Sequence, residues 1–290
     1  MTISQDDSGA GGERPYGAIL LDLDGTLVNN EGGVHPRNVE ALRAVSGAGT
    51  VVMVATGRSL LATLEVLDLL ELPTPAVVFN GAAIYNHTKD RMIEERLLSK
   101  RLLTQAHDFL GRSGDLSVIM CAKEKFARAP RCGEEERALS GLKRIQTVSG
   151  EELAAIENVL RVTVLSRRHS DSHGLDTELG QEVQGPSYRT HFPLALLPRY
   201  KGSPFSVADL HAPCQGKAEA LRYIAETHGI EANRVVAVGD AYNDVPMVEA
   251  AGLGVAMGNA VGGLKRRADR IIGDNQGAAI AGLVEELFLL

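Results

Sequence analysis

Asp22 and Asp24 stand two residues apart where the apolar run Ala18-Ile19-Leu20-Leu21 ends, and that spacing points to chemistry with a cation. A continuous apolar run of this kind reads as a buried strand. Side chains alternate along a strand, so residues two apart leave it on the same side. Two carboxylates placed together repel each other and resist burial. A divalent cation between them removes the conflict, and Mg²⁺ accepts carboxylate and carbonyl oxygens readily. Gly25 permits a sharp turn just beyond the pair, and Thr26 adds a hydroxyl. Because Asp-Gly is also a common turn dipeptide, an acidic turn without a ligand is the alternative reading of this segment.

Three more groups share that setting. Thr56-Gly57-Arg58 ends the apolar run Val51-Val52-Met53-Val54-Ala55, Lys217 opens a helical segment, and Gly239-Asp240-Ala241-Tyr242-Asn243-Asp244 follows Val235-Val236-Ala237-Val238. Singly, each has a structural explanation: a strand-to-helix turn, a solvated lysine, aspartates capping a helix. Together they put a cation site, a hydroxyl, a lysine and further carboxylates on one rim. Phosphoryl transfer needs that set, because its spread negative charge must be neutralised while nucleophile and leaving group are held in line. An aspartate beside Mg²⁺ can attack phosphorus and form an aspartyl-phosphate. A second carboxylate can protonate the leaving oxygen and later activate water.

The elements that must position these residues alternate between strand and helix. Val39, Leu42 and Val45 recur at helical spacing after Pro36, and a helix starting after Ser59 carries Leu60, Leu64 and Leu67. Ala76-Val77-Val78-Phe79 reads as a third strand running into Asn80-Gly81. Gly216 to His228 reads as a helix, Gly254 to Met257 as a short strand, and Gly277 to Phe288 as a closing helix. Continuous apolar strands alternating with helices predict an α/β fold with a doubly wound, Rossmann-like parallel sheet, which binds ligands at the carboxyl ends of its strands. Residues 83–209 have another texture, with shorter strands such as Ser117 to Met120 and Val162 to Leu165, and predict an inserted α+β cap domain. Arg167 to Gly185 reads as a polar loop; His169, Asp171 and His173 there could hold zinc, but solvated alternation is the favoured reading. The expected organisation is a core of residues 15–82 and 210–290 interrupted by the cap, after a disordered tail over 1–14.

Composition narrows the classes. Of 290 residues 44% are hydrophobic and 23% charged, as in a globular protein, and the net charge of −7 leaves no basic excess for nucleic acid. Lys265-Arg266-Arg267 and Arg167-Arg168-His169 read as solvated faces. Three widely spaced cysteines, Cys121, Cys132 and Cys214, suit a reducing compartment, and no apolar run is long enough to span a bilayer. Residues 1–14 have no apolar stretch of the signal-peptide kind, so a cytoplasmic location is expected.

Asp22-Leu23-Asp24-Gly25-Thr26, Thr56-Gly57-Arg58, Lys217 and Gly239 to Asp244 resemble the four motifs of the haloacid dehalogenase superfamily. Asn80-Gly81-Ala82, Gly254 to Ala260 and the place of the insertion resemble its Cof-type phosphatases. The likeness covers about the first 85 and last 80 residues, where motifs of this length in this order are specific. It departs at Gly216 and Ala218, where the family often has Ser before the lysine and Gly after it. The resemblance implies Asp22 as nucleophile and metal ligand, and Asp24 as acid/base, with its backbone carbonyl on the metal. It implies Asp240 and Asp244 as further metal residues, and Thr56, Gly57, Lys217 and Asn243 as the phosphate site. The expected activity is Mg²⁺-dependent hydrolysis of small phosphorylated metabolites, sugar phosphates foremost, under a closing cap. Alternatives are a sugar phosphomutase and a non-catalytic phosphate sensor. The expected partner is a small phosphoester, with no nucleic acid or membrane; oligomeric state stays open.

Overall fold

The computed structural model describes residues 15–289; the segment read as a tail, 1–14, lies outside the described residues. In chain order the strands are β1 (Ala18–Leu21), β2 (Val51–Val54), β3 (Ala76–Val78), β4 (Ala83–Asn86), β5 (Arg91–Glu95), β6 (Leu116–Met120) and β7 (Lys125–Ala127). They continue with β8 (Ile145–Thr147), β9 (Arg161–Ser166), β10 (Tyr188–Pro193), β11 (Ser206–His211), β12 (Val235–Gly239), β13 (Leu253–Ala256) and β14 (Arg270–Ile271).

The first sheet has the order β14-β13-β12-β1-β2, with every pairing parallel. β1 lies inside it, so all four of its residues are buried and the strand is apolar throughout rather than alternating. Helices cover both faces. Pro36–Gly47 begins with proline in its first turn, where the missing N–H costs nothing, and His35 Nδ1 accepts from the Arg37 N–H. It packs on the closing helix Ala279–Phe288, where Asn38 Oδ1 accepts from the Ala281 N–H at 2.9 Å. The strand order reverses beside β1, so the crevice for a ligand opens at its carboxyl end.

The third strand forms where the sequence reading puts it, parallel to the end of β2, and takes its other partner outside the parallel sheet. β3 touches the parallel sheet through a single bridge, Ala55 to Val77, and pairs antiparallel with β4, which pairs with β5. Phe79, Asn80 and Gly81 have φ of 53°, 50° and 95°. Three left-handed residues in a row turn the chain straight back, leaving no room for a crossover helix.

A second sheet has the order β10-β11-β9-β6-β7-β8, antiparallel except for β7 with β8. β11 crosses residue 209, so the sheet runs two residues past the limit drawn from sequence. Helices Lys100–Ser113 and Ser172–Glu182 pack on one face, over Val162, Val164, Ala208 and Leu210. With a period of two, the opposite face carries Arg161, Thr163, Asp209 and His211. The helix Ser172–Glu182 replaces the expected loop; Asp171 caps it by accepting from the Gly174 N–H at 2.8 Å, and Leu175 and Leu179 anchor it. His169 lies beside Glu178 at 2.7 Å, and the acidic cluster at the first sheet is the only candidate metal group among the described residues.

Candidate active site

Four segments converge at the carboxyl ends of β1, β2 and β12. Asp22 follows β1 directly, its N–H still donating to Val238 O in the neighbouring strand, and its side chain is buried. Lys217, equally buried, reaches across from the turn before helix Glu219–His228. Its Nζ donates to Asp22 Oδ1 at 2.6 Å and to Asp244 Oδ1. Asp244 is held from behind, Oδ2 accepting from the Asp240 and Ala241 N–H groups at 2.9 Å each. Gly239 makes room for this, since a Cβ there would meet the Asp244 side chain at 2.4 Å.

Asp240 completes the cluster. Its Oδ1 accepts from Thr26 Oγ1 at 3.3 Å, and it lies within hydrogen-bond reach of Asp22. One oxygen each from Asp22, Asp240 and Asp244 falls within 4.8 Å of the others. Burial first, and then the facing Asp244 carboxylate, push Asp22 well above the ordinary carboxylate pKa. The same two causes, in that order, bring Asp240 to about 7. Burial opposes the charge on Lys217, but Asp22 and Asp244 outweigh it and hold the ammonium above the ordinary lysine value. Three carboxylates thus share one lysine. Two of them resist ionisation at positions where only hard oxygen donors are present. A divalent cation fits that donor set, because its charge would favour the ionised carboxylates that burial opposes.

Asp24 stands further out, half exposed, and Arg58 grips it with Nε at 2.8 Å and Nη2 at 2.6 Å. Behind the β2 end Thr56 is fully buried, its Oγ1 accepting from the Arg58 N–H at 3.1 Å. Gly57 lies against Asn80, whose Oδ1 would stand 3.0 Å from a Cβ at that position. Asn243 Nδ2 donates to Asn80 Oδ1 at 3.0 Å. All eight candidate residues therefore lie on one rim. Arg58, the partner of Asp24, and Asn80, the partner of Asn243, had no assigned role in the sequence reading, although both sit inside motifs quoted there.

The loop through Asn80 also bears on Lys217. Gly81 packs so closely on the lysine's turn that a Cβ would stand 2.2 Å from Gly216 O, and Cys214 Sγ lies 3.5 Å from Asn80 O. Arg96 ties the same corner, donating to Gly81 O at 3.2 Å and to Glu219 at 2.8 Å. The second sheet faces this rim: Arg161 Nη1 donates to Gly57 O at 2.8 Å, and Asn80 Nδ2 to Thr190 Oγ1 at 3.4 Å.

The sequence profile of the haloacid dehalogenase-like hydrolases matches residues 19–284. The chain belongs to that family. Among its curated relatives, pyridoxal phosphate phosphatase YbhA of Escherichia coli is 27% identical over 266 residues, 92% of this chain and 96% of that one. A 5-amino-6-(5-phospho-D-ribitylamino)uracil phosphatase of Bacillus subtilis, YitU, is 25% identical over 283 residues, covering 96% and 99%. Among solved structures, a haloacid dehalogenase-like hydrolase from Bacteroides thetaiotaomicron superposes with a TM-score of 0.77 at 25% identity, over 94% of this chain and all of that one. These likenesses bear out the Cof-type haloacid dehalogenase resemblance, the α/β fold with a parallel sheet, and the class of phosphoric monoester hydrolase. No helix among the described residues is long and apolar enough to cross a membrane.

Proposed function

We propose that the chain is a Mg²⁺-dependent phosphatase of compact phosphorylated metabolites, sugar phosphates among them, acting in the cytoplasm through an aspartyl-phosphate on Asp22. The observation that carries this reading is the buried Lys217 ammonium between Asp22 and Asp244, with Asp240 alongside. A structural ion pair needs one carboxylate; three around one cation leave negative charge that only a further cation balances. Asp22, Asp240, Asp244 and the Asp24 carbonyl would hold the metal. When bound, it supplies positive charge to the phosphoryl oxygens.

The chain's own residues do the rest. Thr56 Oγ1, the Gly57 N–H and Asn243 hold the phosphoryl oxygens, and Lys217 favours the ionised form of Asp22 and aims it. An Asp22 oxygen attacks phosphorus as the ester P–O bond breaks, and Asp24 gives its proton to the departing oxygen. Asp24 then takes a proton from water, whose oxygen attacks phosphorus and releases Asp22 and inorganic phosphate. Arg58 keeps Asp24 at the rim between the two transfers. The second sheet acts as a lid over the reacting group, excluding bulk water and large esters.

Phosphate release across a panel of phosphorylated metabolites with Mg²⁺, with Asp22→Asn alongside, tests this. The wild type should turn over several compact esters, lose activity in excess chelator and regain it with Mg²⁺. The variant should keep its fold and less than about a hundredth of kcat. A variant retaining more than about a tenth would put the nucleophile elsewhere.

A further inference from the structure

The inward face of the second sheet carries a row of polar residues that the phosphoryl site does not use. Cross-strand register aligns Lys125 with Met120, Met120 with Arg161, Arg161 with His211, and His211 with Tyr188. Directly opposed residues share a face, so all five look the same way, toward the rim that Arg161 touches at Gly57. Lys125 is 3% exposed, Arg161 8% and His211 fully buried.

Their hydrogen bonding is incomplete. Lys125 forms no hydrogen bond or ion pair among the described residues, although its Nζ, unlike Arg161 Nε and the His211 ring nitrogens, keeps some access to solvent. Arg161 has five N–H donors, of which Nη1 meets Gly57 O and, at 3.4 Å, Asp209; Nη2 meets only the Met120 sulfur at 3.0 Å. Its buried Nε, and both ring nitrogens of His211, find no well-formed partner. Asp209 is the carboxylate beside Arg161, and its other oxygen already accepts from Thr163 Oγ1. Burial, then the nearby Arg161, lower the Lys125 pKa to about 8, and burial keeps His211 neutral with a pKa of about 4. A buried guanidinium short of acceptors is costly unless something meets its free N–H groups. A structural tether from Arg161 to Gly57 accounts for Nη1 and leaves Lys125 and the remaining donors unexplained.

We propose that Lys125, Arg161 and His211 form a subsite for a second anionic group, carboxylate or phosphate, on the part of the substrate that leaves. The Arg161 contact with Gly57 places this subsite next to the loop assigned to the transferring phosphoryl group, so the preferred substrates are compact phosphomonoesters with a second anion. This rests on the phosphatase reading and narrows its substrate class. Lys125 and Arg161 reach the anion from two sides, and His211 donates a neutral N–H. Tyr188, its ring centroid 6.1 Å from that of His211, closes the row beside the Lys217 turn, where a Cβ on Gly216 would meet its hydroxyl.

The test compares matched substrates: phosphoglycerate against glycerol phosphate for a carboxylate, and fructose bisphosphate against fructose monophosphate for a phosphate. The wild type should favour the doubly anionic member of at least one pair by about tenfold to a hundredfold in kcat/KM, and the responding pair names the anion. Lys125→Met should cut that ratio about tenfold or more, mainly through KM, and Lys125→Arg should restore most of it. Equal kcat/KM within both pairs in the wild type overturns the proposal, as does a ratio that Lys125→Met leaves intact. If no phosphoester is hydrolysed, including an aryl phosphate, the phosphatase reading fails, and calorimetric binding decides the subsite alone. Tighter binding of phosphoglycerate than of glycerol phosphate, lost in Lys125→Met, upholds it; equal binding overturns it.

Discussion

Gly25 is where the spacing of the acidic cluster can be probed without touching an ionisable group. Its φ is +80°, and a Cβ there would stand 2.3 Å from Asp240 Oδ2 and 2.7 Å from Asp240 Cγ. Ordinary van der Waals contact begins near 3.4 Å, so in Gly25→Ala the Asp240 carboxylate must retreat by roughly 1 Å. The left-handed backbone adds strain of about 1–3 kcal/mol, which a domain of this size survives. A 1 Å misplacement in a reacting cluster costs about a hundredfold, equivalent to about 2.7 kcal/mol of transition-state stabilisation. Gly32→Ala is the control, because Gly32 has φ +88° and nothing within 4 Å, so it carries the strain without the collision. The assay is aryl phosphate hydrolysis at increasing Mg²⁺, with circular dichroism to follow folding. Gly25→Ala should lose about a hundredfold in kcat/KM and need about tenfold more Mg²⁺ for half-saturation, while Gly32→Ala loses stability alone. Wild-type Mg²⁺ dependence in Gly25→Ala, or an equal activity loss in Gly32→Ala, would refute the reasoning.

Asp24→Asn should slow alkyl phosphate hydrolysis by about a thousandfold and activated aryl phosphates by about tenfold, because only the former need a proton on the departing oxygen; equal losses would count against the acid role. The metal should also change how stability depends on pH. With its pKa raised to about 7, Asp240 holds a proton in the folded state that the unfolded chain has released, so the metal-free protein loses stability as pH rises from about 4 through about 7. Mg²⁺ should remove that loss, so the gap in Tm between Mg²⁺ and chelator should widen from about pH 5 to about pH 8; a gap that is constant or narrows would exclude the cluster as the binding site. His211, whose lowered pKa acts in the opposite sense below about pH 6.5, contributes equally with and without metal and cancels in this comparison.

The rim was legible because each of its residues ends or follows a strong local signal. Continuous apolar runs mark the parallel strands, and in such a sheet their carboxyl ends gather wherever the topology reverses. β3 was legible as a strand, and what escaped the sequence was the hairpin after it. Ala76 to Phe79 is as apolar as its neighbours, and the left-handed backbone of Phe79, which its residue type disfavours and the surrounding packing imposes, reverses the chain into β4. The helix Ser172–Glu182 escaped because only two leucines, Leu175 and Leu179, mark the buried face amid Gly174, Gly180 and polar residues. The row from Lys125 to Tyr188 was out of reach altogether: sheet pairing joins residues scattered over most of the middle segment, and no local pattern announces a pairing.

Gly81 and Gly216 touch, although the entire second sheet lies between them in the chain. The chain thus leaves and re-enters this corner at one place, and the excursion carries β4 and β5, which pair back onto β3, as well as the second sheet. Residues of the second sheet can therefore vary while the acids at the strand ends keep their places.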